Sequence, residues 1–167
     1  MILGFKKKFI LNFIKREGFM VFRKATIDDC DLFFKWANDK EVRANAFNSK
    51  PIIYEEHVQW FSKKILSLDC FLYICYEKDI PIGQIRVDIE NNVGIIAYSI
   101  DSQNRGKGYG TKMLEMIVDQ IKKEDVKISI LKGKVKYENI ASQKAFEKAG
   151  YECKNNEKYI EYFKNIC

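Results

Sequence analysis

The sequence lacks the features that mark several special classes of protein. Its 167 residues contain no apolar run long enough to form a transmembrane helix. Its five cysteines are odd in number and form no C-x-x-C pair, which argues against a disulfide framework and against a zinc site. We therefore interpret the cysteines as reduced thiols and expect a cytoplasmic protein.

The sequence also lacks a concentrated basic region. The formal net charge is +6, but the lysines are spread along the chain and form no stripe interleaved with exposed aromatic residues. We therefore expect no nucleic-acid partner. A mild positive charge suits a ligand that carries phosphate groups instead. The length favours a single domain that is large enough to bury its own core.

The first 19 residues differ in composition from the rest, so we divide the chain into an N-terminal extension, 1–19, and a domain, 20–167. The extension mixes Phe, Ile and Leu with Lys and Arg, as basic amphipathic segments do. A secretory signal is not expected, because Lys15 and Arg16 interrupt the apolar stretch. Contact with a membrane surface is one interpretation. Packing on the domain, or on the second subunit of a homodimer, is the interpretation we favour.

The residue pattern of the domain predicts an α/β fold. A first strand covers 21–24, and a helix follows Thr26. A second helix covers 54–68, with a buried stripe formed by Val58, Phe61, Ile65 and Leu68. Three strands of an antiparallel meander then follow at 70–77, 82–89 and 93–100. The remaining elements are a helix at 111–123, a strand at 127–135, a helix at 139–149 and two short strands within 151–163.

The segment QNRGKGYG, residues 103–110, joins a predicted strand to a predicted helix. Its glycines let a ligand approach main-chain amides, and the helix adds unpaired N–H groups and a positive dipole end. Arg105 and Lys107 add positive charge, so we predict a phosphate or pyrophosphate site. The segment does not match a Walker A loop. It also fails the dinucleotide pattern G-x-G-x-x-G, because Thr111 replaces the third glycine.

The segment instead resembles the coenzyme A pyrophosphate loop of the GNAT superfamily, Q/R-x-x-G-x-G/A. A second block resembles the family pattern V-x-x-x-N-x-x-[AS]-x-x-x-[YF]-E-K-x-G-[FY], and the resemblance covers residues 21 to about 163. It implies a GNAT fold, in which a mixed, mostly antiparallel sheet splays at the cofactor site between flanking helices. It also implies acetyl-coenzyme A as co-substrate and no metal. The matching positions are Gln103, Gly106, Gly108, Val135, Asn139, Ser142, Phe146 and the run 147–151.

The resemblance implies which residues hold acetyl-coenzyme A. Main-chain groups of the strand before the loop would pair with the pantetheine arm, and loop amides would hold the pyrophosphate. Side chains of the last helix would meet the pantetheine and flank the thiol end. The implied residues are Ser99, Ile100, Gln103, Arg105, Gly106, Lys107, Gly108, Tyr109, Gly110, Thr111, Asn139, Ser142 and Phe146.

Family chemistry is the attack of a neutral amine on the thioester carbonyl, so a group must accept a proton. His57 is the single histidine, and its side chain is the one whose unperturbed pKa suits proton exchange near neutrality. Asp88 and Glu56 are alternative bases. The acid that usually protonates the leaving thiolate is a tyrosine, and Phe146 occupies its position here. Tyr98, Tyr137 or a water molecule would have to replace it.

A second resemblance concerns the acceptor. The segments 36–39, 42–43, 47–49, 56–57 and 60–61 look like the GNAT branch that acetylates nucleotide-linked amino sugars, as in pseudaminic acid pathways. A sugar nucleotide offers a diphosphate to basic side chains and a flat face to Trp. Trp36, on the inward stripe of its helix, is predicted to be a core residue instead. The implied acceptor residues are Arg43, His57, Trp60, Gln84 and Arg86.

Two other functions remain open at this stage. One is acetylation of a protein N-terminus, as in ribosomal-protein acetyltransferases of similar layout. The other is a non-catalytic sensor that binds acyl-coenzyme A, which the absence of the usual tyrosine acid allows.

Overall fold

The structure, a computed structural model, describes residues 19–167. These residues contain seven strands and five α-helices. The predicted N-terminal extension therefore lies outside the described residues, except for Phe19. None of the described helices is long and apolar enough to cross a membrane. The strands are β1 (Met20–Lys24), β2 (Cys70–Glu77), β3 (Ile80–Glu90), β4 (Val93–Ile100), β5 (Ile130–Val135), β6 (Glu152–Asn155) and β7 (Ile160–Asn165). The helices are α1 (Cys30–Ala37), α2 (Lys40–Asn45), α3 (Tyr54–Ile65), α4 (Tyr109–Lys122) and α5 (Ile140–Lys148).

The strands form one mixed sheet in the order β1-β2-β3-β4-β5-β7-β6. Among the described strands, β4 and β5 are the one parallel pair, and every other neighbouring pair is antiparallel. Two-residue turns, Lys78-Asp79 and Asn91-Asn92, build the antiparallel start, and their φ angles are all positive. Such turns match the twist of the strands that they join. The predicted fold class and the predicted meander are confirmed.

The sheet splays between β4 and β5. The two strands pair over four positions, from Val93 opposite Ile130 to Ile96 opposite Gly133. Beyond that point β4 continues to Ile100 and β5 to Val135 without further pairing. The second half of β4 therefore presents main-chain groups to an open wedge, as the sequence predicted.

Helices cover both faces of the sheet. On one face, α4 and α5 pack their apolar side chains against residues such as Ile85, Val87 and Ile96, all buried. On the other face, α1 and α3 contribute Phe33, Trp36 and Phe61 to a second core cluster against β2. Trp36 is thus a core residue, as predicted. Gln84, Arg86 and Asp88 lie on this second face, because alternate residues of β3 point to opposite sides.

Helix α3 ends earlier than predicted, and its buried stripe is different. It ends at Ile65, and a turn closed by the amide of Ser67 on the carbonyl of Lys64 leads the chain away. Leu68, predicted to be buried, is 88% exposed. His57, predicted to lie on the flank of the helix, is 2% exposed and shares the buried stripe with Phe61. The turn at Ser67 was not visible in the apolar spacing, which continues through Leu68.

His57 is a packed residue between α1 and α3. Its Nε2 lies 3.0 Å from the main-chain carbonyl oxygen of Cys30, so we assign the Nε2–H tautomer as the donor. Its ring contacts Phe34, Trp60 and Phe61 at centroid distances of 5.3, 5.5 and 5.9 Å. Burial lowers the pKa of the imidazole and favours its neutral form. These contacts favour a structural role over the role of general base.

We predict that His57 makes stability depend on pH below the pKa of free imidazole. Since the folded-state pKa lies below 6.5, the unfolded chain takes up the proton first as the pH falls, and the free energy of unfolding decreases. Replacing His57 by Gln, which keeps an N–H donor but does not titrate, should flatten the profile between about pH 7 and pH 5. Urea unfolding at several pH values measures this. The prediction is wrong if both proteins lose stability equally over that interval.

Candidate functional site

The loop between β4 and α4 forms a cradle open to a ligand. Its single 3-10 turn, Ser102–Asn104, is capped by Asp101, whose Oδ1 accepts the amide of Gln103 at 3.1 Å. Gly106 and Gly108 then adopt φ angles of 75° and 81°, which favour glycine. A Cβ atom at either position would meet no protein atom within 4 Å. The glycines are therefore required by the backbone conformation and leave the space beside the loop free.

Helix α4 completes this cradle. It begins at Tyr109, directly after Gly108, and no side chain caps its first turn. Over its 14 residues the peptide dipoles sum to a positive end, and the first N–H groups have no partner within the helix. Main-chain groups of Gly110 and Thr111 belong to this turn. The arrangement fits a phosphate-bearing group, which the loop amides and the helix end would hold.

Two of the loop side chains predicted to meet phosphate are occupied by protein partners. Arg105 donates from Nη2 to Asp39 and from Nη1 to Glu41, at 2.5 and 2.8 Å, and from Nε to the carbonyl oxygen of Ile100. Lys107 donates to the side-chain oxygen of Asn104 at 3.1 Å. Arg105 thus ties the loop to α2. Its role as a phosphate-binding cation is not supported by this geometry, although its main-chain amide remains part of the loop.

The side chain of Tyr109 also points away from the cradle. It is 9% exposed, and its hydroxyl donates to the carboxylate of Glu77 at the end of β2. Tyr109 could therefore contribute only its main chain to a ligand at the start of α4.

The end of β4 places two hydroxyl groups on opposite faces of the sheet. Ser99 is buried, and its Oγ accepts from Nε2 of Gln84 at 3.1 Å on the face covered by α1 and α3. The hydroxyl of Tyr98 lies on the other face, 3.1 Å from Oγ of Ser142. Its ring also approaches Gly110, so the phenol lies between the first turns of α4 and α5. Burial raises the pKa of Tyr98, which keeps the phenol protonated.

Helix α5 starts beside the wedge and buries its phenylalanine beneath it. Asn139 caps the helix, because its side-chain oxygen accepts the amide of Ser142 at 3.1 Å. Phe146 is 2% exposed and stacks on Tyr162 with a centroid distance of 5.0 Å. The tip of its ring packs against Gly133, where a Cβ atom would overlap it. Phe146 therefore lies within the core instead of lining the wedge.

Tyr137 lies in the loop before α5 and is 40% exposed. Its hydroxyl donates to the main-chain carbonyl oxygen of Asn156 at 2.6 Å, which ties this loop to the turn between β6 and β7. Of the two predicted proton donors, Tyr98 has its hydroxyl between the two helix starts, whereas Tyr137 is held by this turn.

The predicted acceptor residues fall into two groups. The first group, on the sheet face under α3, is a charged cluster in which Arg86 lies over the ring of Trp60 at 5.2 Å. Nε of Arg86 is 2.7 Å from Asp88 Oδ2, but it is poorly aligned, so we describe the contact as an ion pair and not as a hydrogen bond. Lys64 is 2.5 Å from the other carboxylate oxygen of Asp88. Burial opposes ionisation of Asp88, but these two cations outweigh it and lower its pKa.

Arg43 lies apart from this cluster, in α2, and binds the loop that follows α2. Its guanidinium donates to the carbonyl oxygens of Asn48 and Lys50, at 3.1 and 3.3 Å. Asn38 and Ile52 exchange two further hydrogen bonds of 2.8 Å across the same loop. Arg43 therefore shapes the loop, and the structure gives it no contact with the cluster around Arg86.

Sequence reasoning missed the acidic residues that hold the glycine-rich loop. Asp101 is buried and accepts the indole N–H of Trp36 at 2.8 Å, which joins β4 to α1. Asp39 and Glu41 bind Arg105. Asp39 was interpreted only as part of the segment 36–39 that resembles an acceptor-side pattern, and the one available signal was an acidic residue, Asp101, shortly before the loop. None of the described residues forms a cluster of three or more side chains that could hold a metal ion.

Solved structures of other acetyltransferases share this architecture, and three of them illustrate the similarity. The aminoglycoside acetyltransferase AAC(6')-Ib, in complex with ribostamycin and coenzyme A, is 17% identical with a TM-score of 0.77, over 87% of this chain and 93% of that chain. The ribosomal-protein alpha-N-acetyltransferase RimL, with coenzyme A, is 16% identical with a TM-score of 0.74, over 88% and 94%. The spermidine N-acetyltransferase of Vibrio cholerae, with coenzyme A and spermine, is 13% identical with a TM-score of 0.76, over 87% and 95%. At these identities the likeness establishes the fold.

The family follows from the sequence itself. No curated protein matches this chain. Residues 20–152, however, match the family model of the acetyltransferase (GNAT) domain, which is most of the chain. The protein therefore belongs to the GNAT family and is an acetyl-coenzyme A-dependent N-acetyltransferase.

Proposed function

We propose that the enzyme acetylates the amine of an anionic small molecule, and that a nucleotide-linked amino sugar is the acceptor class that fits best. The observation that carries this proposal is the charge of the sheet face under α1–α3. The face has an excess of cations, and one of them, Arg86, is oriented by the protein but only partly paired.

The register of the strands identifies the charges on this face. Lys132 lies on the same face as the β4 residue opposite it, Ile95, and Lys134 is two residues further along β5. Together with Arg86 and Lys64 they make four cations on the middle strands and α3. The carboxylates beside them, Asp88 and Glu161, are each bound to a lysine, at 2.5 and 3.2 Å. The same register places further charges at the borders of this face, Glu90 at the end of β3 and Lys154 and Glu152 on the edge strand β6. A polycation such as spermine would meet no unpaired carboxylate on the middle strands, whereas an anion would meet excess positive charge there.

Arg86 is the most specific part of this surface. Asp88 holds its Nε and Trp60 supports its planar face, while Nη1 and Nη2 have no hydrogen-bond partner within residues 19–167. A guanidinium fixed in this way offers two parallel donors, the geometry that suits a phosphate or carboxylate. Trp60 adds an aromatic surface for a base or a sugar ring. These properties support a sugar nucleotide over the polycations bound by two of the similar structures.

Acetyl-coenzyme A would bind in the wedge between β4 and β5 and in the cradle formed by the loop before α4. Acetyl-coenzyme A supplies the thioester that the amine attacks. The amides of the loop from Arg105 to Gly110 would hold its pyrophosphate, and main-chain groups of Ser99 and Ile100 would pair with its pantetheine arm. Main-chain N–H groups near Ile100 could also donate to the developing oxyanion.

We assign the proton for the leaving thiolate to Tyr98. Its hydroxyl lies beside Ser142, and burial raises its pKa, so the phenol carries a proton that it can donate to the thiolate. Ser142 can pass a proton on, because a hydroxyl both donates and accepts. With Tyr98 as the acid, Phe146 at the family's usual acid position needs no proton-donating role, and its ring packs within the core.

The proposal is tested by measuring free thiol release from acetyl-coenzyme A with four acceptors. These are a nucleoside-diphosphate-linked amino sugar, spermidine, ribostamycin and a ribosomal-protein N-terminal peptide. We expect the highest kcat/KM for the sugar nucleotide. Preference for spermidine or ribostamycin would refute an anionic acceptor, and preference for the peptide would favour N-terminal acetylation. Coenzyme A binding without turnover of any amine would identify a sensor.

Replacing Arg86 by Gln should lower kcat/KM for the sugar nucleotide by about ten- to hundredfold, mainly through the KM of the acceptor, because a charge-assisted bidentate contact is lost. The KM of acetyl-coenzyme A should not change. Lys63→Gln is the matched control, since Lys63 lies next to Lys64 on α3 but is exposed. Equal effects of the two substitutions would contradict the role of Arg86.

Replacing Gly108 by Val should weaken coenzyme A binding by about ten- to hundredfold, because the side chain blocks the approach to one or two amides. Isothermal titration calorimetry measures this. Gly150→Val is the control, since Gly150 has a similar φ of 75° but caps the far end of α5. It should lower stability and leave affinity intact. Unchanged affinity in folded Gly108→Val would remove the loop from its assigned role.

The pair Tyr98→Phe and Phe146→Tyr tests the proton donor. Removing the Tyr98 hydroxyl should lower kcat by about 10²-fold at unchanged coenzyme A affinity. Adding a hydroxyl at Phe146 should not raise the rate, because the ring tip packs against Gly133, and overpacking should cost about 1–3 kcal/mol of stability. Steady-state kinetics and urea unfolding give both values. A rate gain above about tenfold in Phe146→Tyr would show that no other group supplies the proton.

A further inference from the structure

Acidic side chains at the start of α2 bind the glycine-rich loop through Arg105. All three kinds of nitrogen in the Arg105 guanidinium are used: Nη2 on Asp39, Nη1 on Glu41 and Nε on the carbonyl oxygen of Ile100. The distances are 2.5, 2.8 and 3.2 Å. Glu41 is the weaker partner, because 60% of its side chain is exposed to solvent.

Asp39 joins the loop to the start of α2. The same oxygen, Oδ1, accepts from Arg105 and from the amides of Glu41 and Val42, at 3.0 and 3.1 Å. One carboxylate thus caps α2 and fixes the arginine. If Arg105 moved away from the loop, either its ion pair with Asp39 would break or the first turn of α2 would move with it.

The other end of the loop is held by α1. Trp36 donates its indole N–H to Asp101, and Asp101 in turn caps the 3-10 turn that leads into the glycines. The short segment 36–41 therefore binds the loop at Asp101 and at Arg105. This segment contains the Trp-Ala-Asn-Asp run that resembles an acceptor-side pattern, yet Trp36 and Asp39 of that run contact Asp101 and Arg105.

We propose that Asp39 is a positioning residue for coenzyme A. It acts through Arg105, which it holds in the one orientation that closes the loop backbone around the pyrophosphate position. Loop amides that are already oriented lose less conformational entropy when coenzyme A binds. Holding Arg105 in place therefore lowers the free-energy cost of binding. The proposal rests on coenzyme A binding at this loop and is independent of the identity of the amine.

Long-range electrostatics alone predicts the opposite change in coenzyme A affinity. The direction of that change therefore distinguishes the two explanations. Coenzyme A carries several negative charges, and Asp39 and Glu41 are anions near the loop that would receive its pyrophosphate. If only long-range charge mattered, neutralising Asp39 would strengthen binding. If Asp39 positions Arg105, the same change weakens binding.

The experiment measures coenzyme A affinity by calorimetry for Asp39→Asn, Arg105→Ala and the double variant. Asn retains the ability to cap α2, so the helix start is preserved while the ion pair is weakened. We expect Asp39→Asn to weaken binding by about three- to tenfold, and the double variant to bind no worse than Arg105→Ala alone. Asp28→Asn, which removes an equal charge from an exposed position, should leave affinity unchanged.

Tighter or unchanged binding in Asp39→Asn would overturn the proposal, and so would additive losses in the double variant. Glu41→Gln provides a second test that leaves the cap intact, and it should weaken binding less than Asp39→Asn. Failure of the wild-type protein to bind coenzyme A would instead refute the proposed function. Because turnover is not measured, a wrong acceptor class cannot alter the outcome.

Discussion

The rest of this structure depends on the early end of the pairing between β4 and β5. After four paired positions the main-chain groups of β4 lose their neighbour, and such groups require another partner when they are buried. A ligand that adds itself like a strand meets this need. The glycine-rich loop follows the end of β4, and α5 begins shortly after the end of β5. The cradle and the helix cap at Asn139 therefore both lie at the same separation.

Much of the fold was predictable because its signals are local. The Lys-Asp and Asn-Asn pairs adopt positive φ angles that fix two hairpins, and the glycine pattern fixes the loop. The end of α3 was not predictable, because the apolar spacing continues to Leu68 although the helix ends at Ile65. The interior position of His57 was missed for a related reason. Its hydrogen-bond partner is a main-chain carbonyl 27 residues away, which no pattern of side chains reveals.

The glycine-rich loop could be located from the sequence, but the partners of its arginine could not. Arg105 within a glycine-rich loop is what a phosphate site requires, and the sequence does not reveal that Asp39, 66 residues earlier, binds it. Trp36 and Asp101 are separated by 65 residues and form a similar connection. Contacts of this kind depend on how α1 and α2 fold back onto the end of β4. The acidic residues therefore gave no sign in the sequence of their contacts with the glycine-rich loop.

The position of the hydroxyl proposed as the proton donor shows how packing and chemistry are combined. Both α4 and α5 begin at the wedge, so two positive helix ends face the same region. A phenol placed there can remain protonated, because burial raises its pKa, while the helix ends stabilise the negative charge left after it donates. Tyr98 has this location, and the ring of Phe146 supports its edge at a centroid distance of 6.0 Å. A hydroxyl on Phe146 itself would point into Gly133, so the chain keeps an apolar ring on α5 and presents the hydroxyl from β4.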